Sequence, residues 1–287
     1  IERCLQSLVT VVDEIVVVDS FSTDKTKAIC QKYPVKFIEQ AFLGYIEQKN
    51  FALKQAQYDH IVALDGDEAL SAPLQKSILE LKTSWTFDGY YCNRFNNFCG
   101  QWIKHSDWYP NKKLRVFDRR KAQWKGINPH DQIILNAKKA TVGHLAGDIL
   151  HWTYQSYSEF NDKTEYFSNI AAKAYFEKGK KAPLWKIIWN PFWAFFKAYF
   201  LRLGLLDGFN GFMICYQTGH ITFLKYAKLR ELYKKKPWLF PEFQGLFQTL
   251  FSVEFLLKFL GASPHKLKNG IKILTKAFCI LIAHDLN

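Results

Sequence analysis

The run Ile61-Val62-Ala63-Leu64 breaks off into Asp65-Gly66-Asp67-Glu68, setting three carboxylates within four residues. A short apolar run bounded by polar residues is the mark of a buried strand. The spacing therefore predicts a strand whose tip carries Asp-x-Asp, and open α/β sheets take their ligands at the carboxyl ends of strands. Side chains alternate along extended chain, so Asp65 and Asp67 are expected on one side if the strand geometry continues. Gly66 between them leaves room for a ligand beside the backbone. Two such carboxylates repel unless a positive charge joins them. A hard divalent cation, Mg²⁺ or Mn²⁺, would do so and would bridge to phosphate oxygens. The tripeptide alone is equally an acidic turn; its flanks carry the rest of the argument.

Residues 2–10 pattern as a helix, and residues 14–19 as a second buried strand ending in Asp19. A polar loop and a helix over 25–32 follow, with Thr23 or Asp24 as the cap. Residues 35–39 read as a strand and 44–56 as a loop and helix. This alternation implies a mainly parallel, doubly wound sheet. The chain opens inside a helical pattern without a methionine, so a piece upstream of it is expected.

Three segments together are more specific. Val16-Val17-Val18-Asp19-Ser20-Phe21-Ser22-Thr23-Asp24-Lys25-Thr26, then Gln48-Lys49-Asn50, then Leu64-Asp65-Gly66-Asp67-Glu68 resemble the nucleotide-sugar half of family 2 glycosyltransferases. The branch they resemble is the lipopolysaccharide core enzymes that add glucose to an inner-core heptose. The resemblance implies the GT-A (Rossmann-like) α/β fold, with helices flanking the sheet. It also implies an inverting transfer from a nucleotide-sugar, a UDP-sugar first among them, with Mg²⁺ or Mn²⁺. On that likeness Asp19 accepts hydrogen bonds from uracil or ribose, and Ser22 shares its loop. Lys49 reaches a diphosphate as a point charge. Asp65 contacts ribose or a metal-bound water, and Asp67 ligates the metal, so both belong to the metal site. The upstream piece would be the family's first strand, which touches the nucleobase. On the residues alone, Asp19 is also readable as a helix cap and Lys49 as a solvated lysine. Asp24 reads as structural, and Glu68 as the cap of a helix over 72–81.

Residues 89–95 and 113–119 pattern as strands, with residues 99–105 as a loop or hairpin over the cleft. Trp124-Lys125-Gly126-Ile127-Asn128-Pro129-His130-Asp131 resembles the family segment whose terminal carboxylate activates the acceptor hydroxyl. Here that carboxylate is Asp131, one methylene shorter than the family's Glu. A sugar hydroxyl needs a positioned base to take its proton. Arg115 or Arg119 could hold a diphosphate or an acidic acceptor, or each could be a plain strand arginine. His130 reads as a loop histidine. His144 carries no strong signal, and His151-Trp152 sits where a sugar-stacking aromatic would serve.

Residues 1–150 hold 20 Lys/Arg against 17 Asp/Glu, while 151–287 hold 19 against 9. This asymmetry suggests two jobs: a nucleotide-sugar and acceptor-binding domain over 1–150, and a helical, basic, aromatic extension over 151–287. Residues 156–178 read as an amphipathic helix. Residues 183–202 are apolar but interrupted by Lys186, Asn190, Pro191 and Lys197, which suits a helix lying in a membrane interface better than one spanning it. Segments 206–212 and 223–229 resemble the same branch. Lys234-Lys235-Lys236 would meet anionic lipid, and residues 238–287 suggest further amphipathic helices broken at 261–264. The expected setting is cytoplasmic, peripheral on the inner face of a bacterial inner membrane, with a lipid-linked saccharide as acceptor.

The net charge of +13 also raises nucleic acid as a partner. Positive charge mixed with large apolar clusters fits a lipid surface better than a phosphate-tracking groove, so nucleic acid is not expected. The competing class is a non-catalytic basic protein on a membrane or a nucleic acid. A polysaccharide synthase would need spanning helices and Gln-x-x-Arg-Trp, and a nucleotidyltransferase a Gly-rich loop bearing lysine. Neither pattern occurs. The six cysteines follow no zinc or disulfide spacing, so reduced, buried thiols are expected.

Overall fold

The Val-rich segment Ile15–Asp19 forms strand β1, which pairs in parallel with β2 (Val35–Glu39). Helix α1 (Glu2–Leu8) precedes β1, and α2 (Thr26–Cys30) and α3 (Tyr45–Gln55) flank β2 in the chain. This computed structural model describes residues 1–127, 130–136 and 139–234. The expectations for Lys235, Lys236 and residues 238–287 lie outside them.

Strand β3 is short, His60–Val62. The chain then turns, with Glu68 N–H donating to the Asp65 carbonyl at 2.9 Å, before β4 (Glu68–Leu70) begins. The expected extended run through Asp67 is therefore not formed, and the two aspartates do not share a side by pleat alternation. The physical reason is that β3 and β4 lie at opposite ends of one sheet. The segment between them must leave β3 and cross over.

That sheet is completed by β5 (Gly89–Phe98), β6 (Gln101–Trp102), β7 (Asn111–Asp118) and β10 (Val142–Tyr154). Its order is β3-β7-β5-β10-β4, with β6 on β5. The mainly parallel pairing expected is present in β1–β2 and β5–β10, and the other pairs are antiparallel, so the architecture is a mixed α/β one. Chain connectivity accounts for this: β5 returns as β7 without a helical crossover, and a return of that kind pairs antiparallel. A separate hairpin joins β8 (Ala122–Ile127) to β9 (His130–Leu135).

Helix α4 (Ala72–Thr83) is capped by Ser71, whose hydroxyl accepts from Leu74 N–H at 3.4 Å. Glu68 is not the cap; it is wholly buried. Leu74, Ile78 and Leu81 of α4 join Leu5, Val11, Ile15, Leu70, Cys92 and Ile149 in the main core. Burial pushes the Cys4 and Cys92 thiols up to about 12. Cys4, Cys30, Cys92, Cys99 and Cys215 are all free thiols.

Beyond the sheet come α5 (Tyr157–Glu177), α6 (Leu184–Phe196), a π-turn over Lys197–Leu201, a 3₁₀ turn over Gly204–Asp207, and α7 (Gly208–Lys234). Phe98, Ile103 and Ile214 are packed to full burial between these elements and the sheet. Buried Asp207 accepts from the backbone N–H of Lys104 and His105 and faces the His105 ring at 3.1 Å, fixing the segment after β6. Gly211 allows the close approach here, since a Cβ on it would strike the Gly204 carbonyl. The division expected at residue 150 runs through β10, and Ile1–Leu229 form one compact unit. No helix among the described residues is long and apolar enough to cross a membrane.

Candidate active site

Strands β1 and β3 each pair on one side only. Both line a cavity of about 1130 Å³, together with Asp19, Ser22, Gln48, Lys49, Asp65, Asp67, Arg115 and Trp152. Every expected donor-side residue thus reaches one cavity. Asp131 is not in its lining but is joined to it through Lys49.

Asp19, at the end of β1, is buried, and both its oxygens face Ser22: Oδ2 accepts from the Ser22 N–H at 2.7 Å and Oδ1 from its hydroxyl at 2.5 Å. Gln48 reaches the same loop, donating to Ser20 Oγ at 3.0 Å. The aspartate therefore shapes its own loop rather than capping a helix.

The centre of the site is Lys49 on α3. Its ammonium lies 2.8 Å from Asp65 Oδ1 and 2.8 Å from Asp131 Oδ2, and 4.4 Å above the Trp124 ring. The β8–β9 hairpin supplies both Trp124 and Asp131. Asn50 locks that hairpin onto α3, donating to the Trp124 carbonyl and accepting from its N–H. Lys49 is a tethered cation, not a solvated one.

Arg115 on β7 is 95% buried, since only 5% of it is exposed. Its Nη2 lies 3.0 Å from Asp65 Oδ2 and 3.4 Å from Glu68 Oε1, and Arg94 approaches Glu68 at 3.5 Å. Glu68 Oε2 accepts from the Asp65 N–H at 3.0 Å. Burial works against charge on Asp65, but the Arg115 guanidinium and the Lys49 ammonium outweigh it and hold the carboxyl well below the usual carboxylate range. Burial likewise opposes the Arg115 charge, and Glu68 and Asp65 more than restore it. Arg119 is not part of the site: it pairs with Asp59 and binds the Leu53 carbonyl.

Asp67 points elsewhere. Its side chain is 55% exposed, and its Oδ2 lies 3.4 Å from His151 Nε2. Pairing of β4 with β10 sets Glu68 opposite His151 and so brings the histidine here. His151 Nδ1 contacts Asn96 Oδ1 at 2.8 Å and Thr153 Oγ1 at 2.9 Å. The Asn96 amide is itself oriented by donating to the Trp108 carbonyl at 2.9 Å. Nε2 therefore faces the Asp67 carboxylate, either as an N–H donor to it or, with the proton on Nδ1 and donated to Asn96, as a lone pair. In the second tautomer two acceptors face each other and suit a cation between them, and a ring held through its other nitrogen is how metal-ligating histidines are oriented.

The residues present therefore fit a divalent cation, on Asp67 and His151 rather than on both aspartates, because Lys49 and Arg115 occupy both Asp65 oxygens. No group of three or more His, Cys, Asp or Glu side chains among the described residues could hold a metal. A cation here would take its remaining ligands from water and phosphate, as Mg²⁺ commonly does. His144 stands apart, 3.3 Å from Asn93.

The mixed α/β sheet thus gathers acidic loops, a tethered lysine and a carboxylate from a distant hairpin at one place. Residues 1–138 match the family model described as Glycosyl transferase family 2. The chain is 32% identical over 243 residues to an uncharacterized glycosyltransferase of Rickettsia felis, covering 80% of this chain and 85% of that protein. It is 30% identical over 246 residues to the lipopolysaccharide core biosynthesis glycosyltransferase LpsC of Rhizobium meliloti, covering 82% and 89%. The chain belongs to glycosyl transferase family 2 and is a glycosyltransferase. Among solved structures, S. aureus TarS 1–349 in complex with UDP-GlcNAc aligns at 13% identity with a TM-score of 0.37, covering 76% of this chain and 83% of that one. At that score it carries no argument here.

Proposed function

We propose that this enzyme moves a hexose from a nucleotide-sugar, a UDP-sugar first, to a lipid-linked saccharide of the lipopolysaccharide core type, inverting the anomeric centre. The observation that carries this reading is Lys49, whose ammonium holds Asp65 of the donor-side loop and Asp131 of the hairpin at 2.8 Å each. It joins the loop after β3 to the β8–β9 hairpin at one point, which supports the reading. The name of the LpsC relative supports the acceptor class.

Asp19, Ser22 and Gln48 form the nucleoside end of the cavity. Asp67 and His151 would hold Mg²⁺ or Mn²⁺, which when bound neutralises the departing diphosphate. Lys49 lends a second positive charge to that diphosphate. Asp131, held by Lys49 through Oδ2, takes the proton of the attacking hydroxyl, while the anomeric carbon passes through an oxocarbenium-like state.

The exposed aromatic face of α6 supports a peripheral seat on an anionic membrane, on the cytoplasmic side where nucleotide-sugars are made available. Trp185, Ile188, Trp189, Phe192 and Trp193 are each more than half exposed. Lys186 lies 5.4 Å over the Trp185 ring, an arrangement suited to headgroup depth.

The test is hydrolysis and transfer of UDP-, GDP- and ADP-sugars with and without EDTA. Asp67→Ala and His151→Ala are expected to lose metal-dependent turnover together. Asp131→Asn should cut transfer by about 10²–10⁴-fold with donor affinity retained. Full transfer in Asp67→Ala would remove the metal from the reading, and full transfer in Asp131→Asn would remove the base.

A further inference from the structure

The face of β5 and β7 that looks toward the site is not electrically balanced. Arg94 of β5 and Lys113 and Arg115 of β7, with Lys49 of α3, are set against the carboxylates of Asp65, Glu68 and Asp131. Each carboxylate is engaged by Lys49, Arg94 or Arg115, and Lys113 forms no ion pair among the described residues. Strand register sets Lys113 opposite Cys92, so that it is the diagonal neighbour of Arg94 on one face. Arg94 Nε and Arg115 Nη1 are buried with no hydrogen-bond partner. Buried donors without partners are rare and call for one.

Lys113 is half-buried. Burial, helped by Arg94 and Arg115, holds its ammonium below the ordinary lysine value, while Glu68 and Asp131 act in the opposite direction. The strand that carries Asp131, β9, packs against β7, which carries Lys113. The donor cavity, in contrast, is lined by Lys49 and Arg115 but by neither Arg94 nor Lys113. Lys113 and Arg94, like Asp131, thus lie outside the donor cavity's lining.

We propose that Lys113 and Arg94 form an oxyanion-binding subsite beside Asp131, and that the acceptor sugar is acidic, with a carboxylate or phosphate close to the hydroxyl that reacts. This rests on Asp131 being the acceptor-side base. Lys113 supplies a mobile point charge and Arg94 a planar donor edge, a pairing suited to either anion. An anion seated there satisfies the cluster's extra charge and places the neighbouring hydroxyl against the Asp131 carboxylate. A neutral sugar leaves the cations unpaired, so the subsite selects against it.

The test is ligand-observed saturation-transfer NMR on the whole chain with glucose, glucuronate and glucose 6-phosphate. One or both acidic sugars should bind at least about 10-fold more tightly than glucose, and less tightly at high salt. The tighter of the two names the anion. Lys113→Met should abolish that advantage and Lys113→Arg should keep it, with thermal unfolding checking that both variants fold. Saturating UDP should leave it in place. The proposal is overturned if glucose binds as well as both acidic sugars, if Lys113→Met keeps the advantage, or if UDP displaces the acidic sugars, which would assign the cations to the donor. The readout is binding without turnover, so failure here leaves the transferase reading standing. Loss of that reading would appear in the Asp67 and Asp131 variants.

Discussion

The centre of the site and the surface of α6 depart from ordinary burial in opposite directions. At the centre Glu68 is 0% exposed and Arg115 5%, whereas on α6 Ile188 and Trp189 are 65% and 62% exposed. Charged groups are hidden and large apolar groups are in water. The first departure is met largely within the chain, because Arg115, Arg94 and Lys49 meet the carboxylates they are buried with, leaving Lys113 as the cation without a carboxylate among the described residues. The second is not resolved by anything among the described residues. A buried charge cluster therefore speaks of chemistry assembled inside the fold, and an exposed aromatic face of a surface outside it.

The largest effect should come from breaking the centre. Arg115→Met leaves Glu68 buried with only Arg94 at 3.5 Å and takes one of two cations from Asp65. Removing one partner of a buried pair costs about 3–5 kcal/mol, and urea unfolding measures it. The double variant Glu68→Gln/Arg115→Met should cost less than the sum of the singles by about 1 kcal/mol or more, since it leaves less uncompensated charge. The centre also has a pH signature. Asp65 has a folded value below its unfolded one, which is about 3.9. Its stabilising contribution is thus full above that value and is lost as pH falls below it toward the lower folded value. Urea midpoints should drop in that acid range, and the Arg115→Met variant should drop less steeply. Equal acid slopes would mean that Arg115 does not govern Asp65.

The apolar face should respond the other way. Ile188→Ser/Trp189→Ser removes exposed side chains, so stability should change by no more than about 0.5 kcal/mol per site. Co-sedimentation with phosphatidylglycerol vesicles should fall by about 10-fold or more, because each large apolar side chain is worth about 1.5–3 kcal/mol when it leaves water. Donor hydrolysis should persist. A destabilisation beyond about 2 kcal/mol would instead put this face in a core, as that size belongs to core truncation.

The parts of the molecule legible in the sequence are those set by local pattern. The Val-rich β1 and the 35–39 strand follow from their apolar runs; Asp19 ends β1 and Asp65 follows the end of β3, while Lys49 sits within α3. What was not legible depended on register between distant strands. Nothing around His151 announces that it meets Asp67; pairing of β4 with β10 creates that contact. Glu68 looked like a cap because a helix follows it, yet Ser71 is nearer the helix start, and β4 carries Glu68 inside. Arg115 alternates with apolar residues as a surface arginine would. Only the opposed charges of Asp65 and Glu68 explain its burial, and those lie on other segments.

The smallest effect should separate chemistry from architecture at the centre. A methyl group on Gly66 would meet only the Ile1 Cδ1 atom, at 3.5 Å, an ordinary contact, and the glycine is not among those with positive φ. Nothing in the folded chain demands glycine there. Gly66→Ala should therefore leave stability within about 0.5 kcal/mol. If a donor lies along this loop, the added methyl occupies its path, and KM for the nucleotide-sugar should rise several-fold while the unfolding midpoint stays put. An unchanged KM would mean that the donor avoids the Asp65–Asp67 turn. The buried charges of that turn would then serve the fold rather than the donor, and the contrast with the apolar face would be one between charges answered inside the chain and apolar groups left outside it.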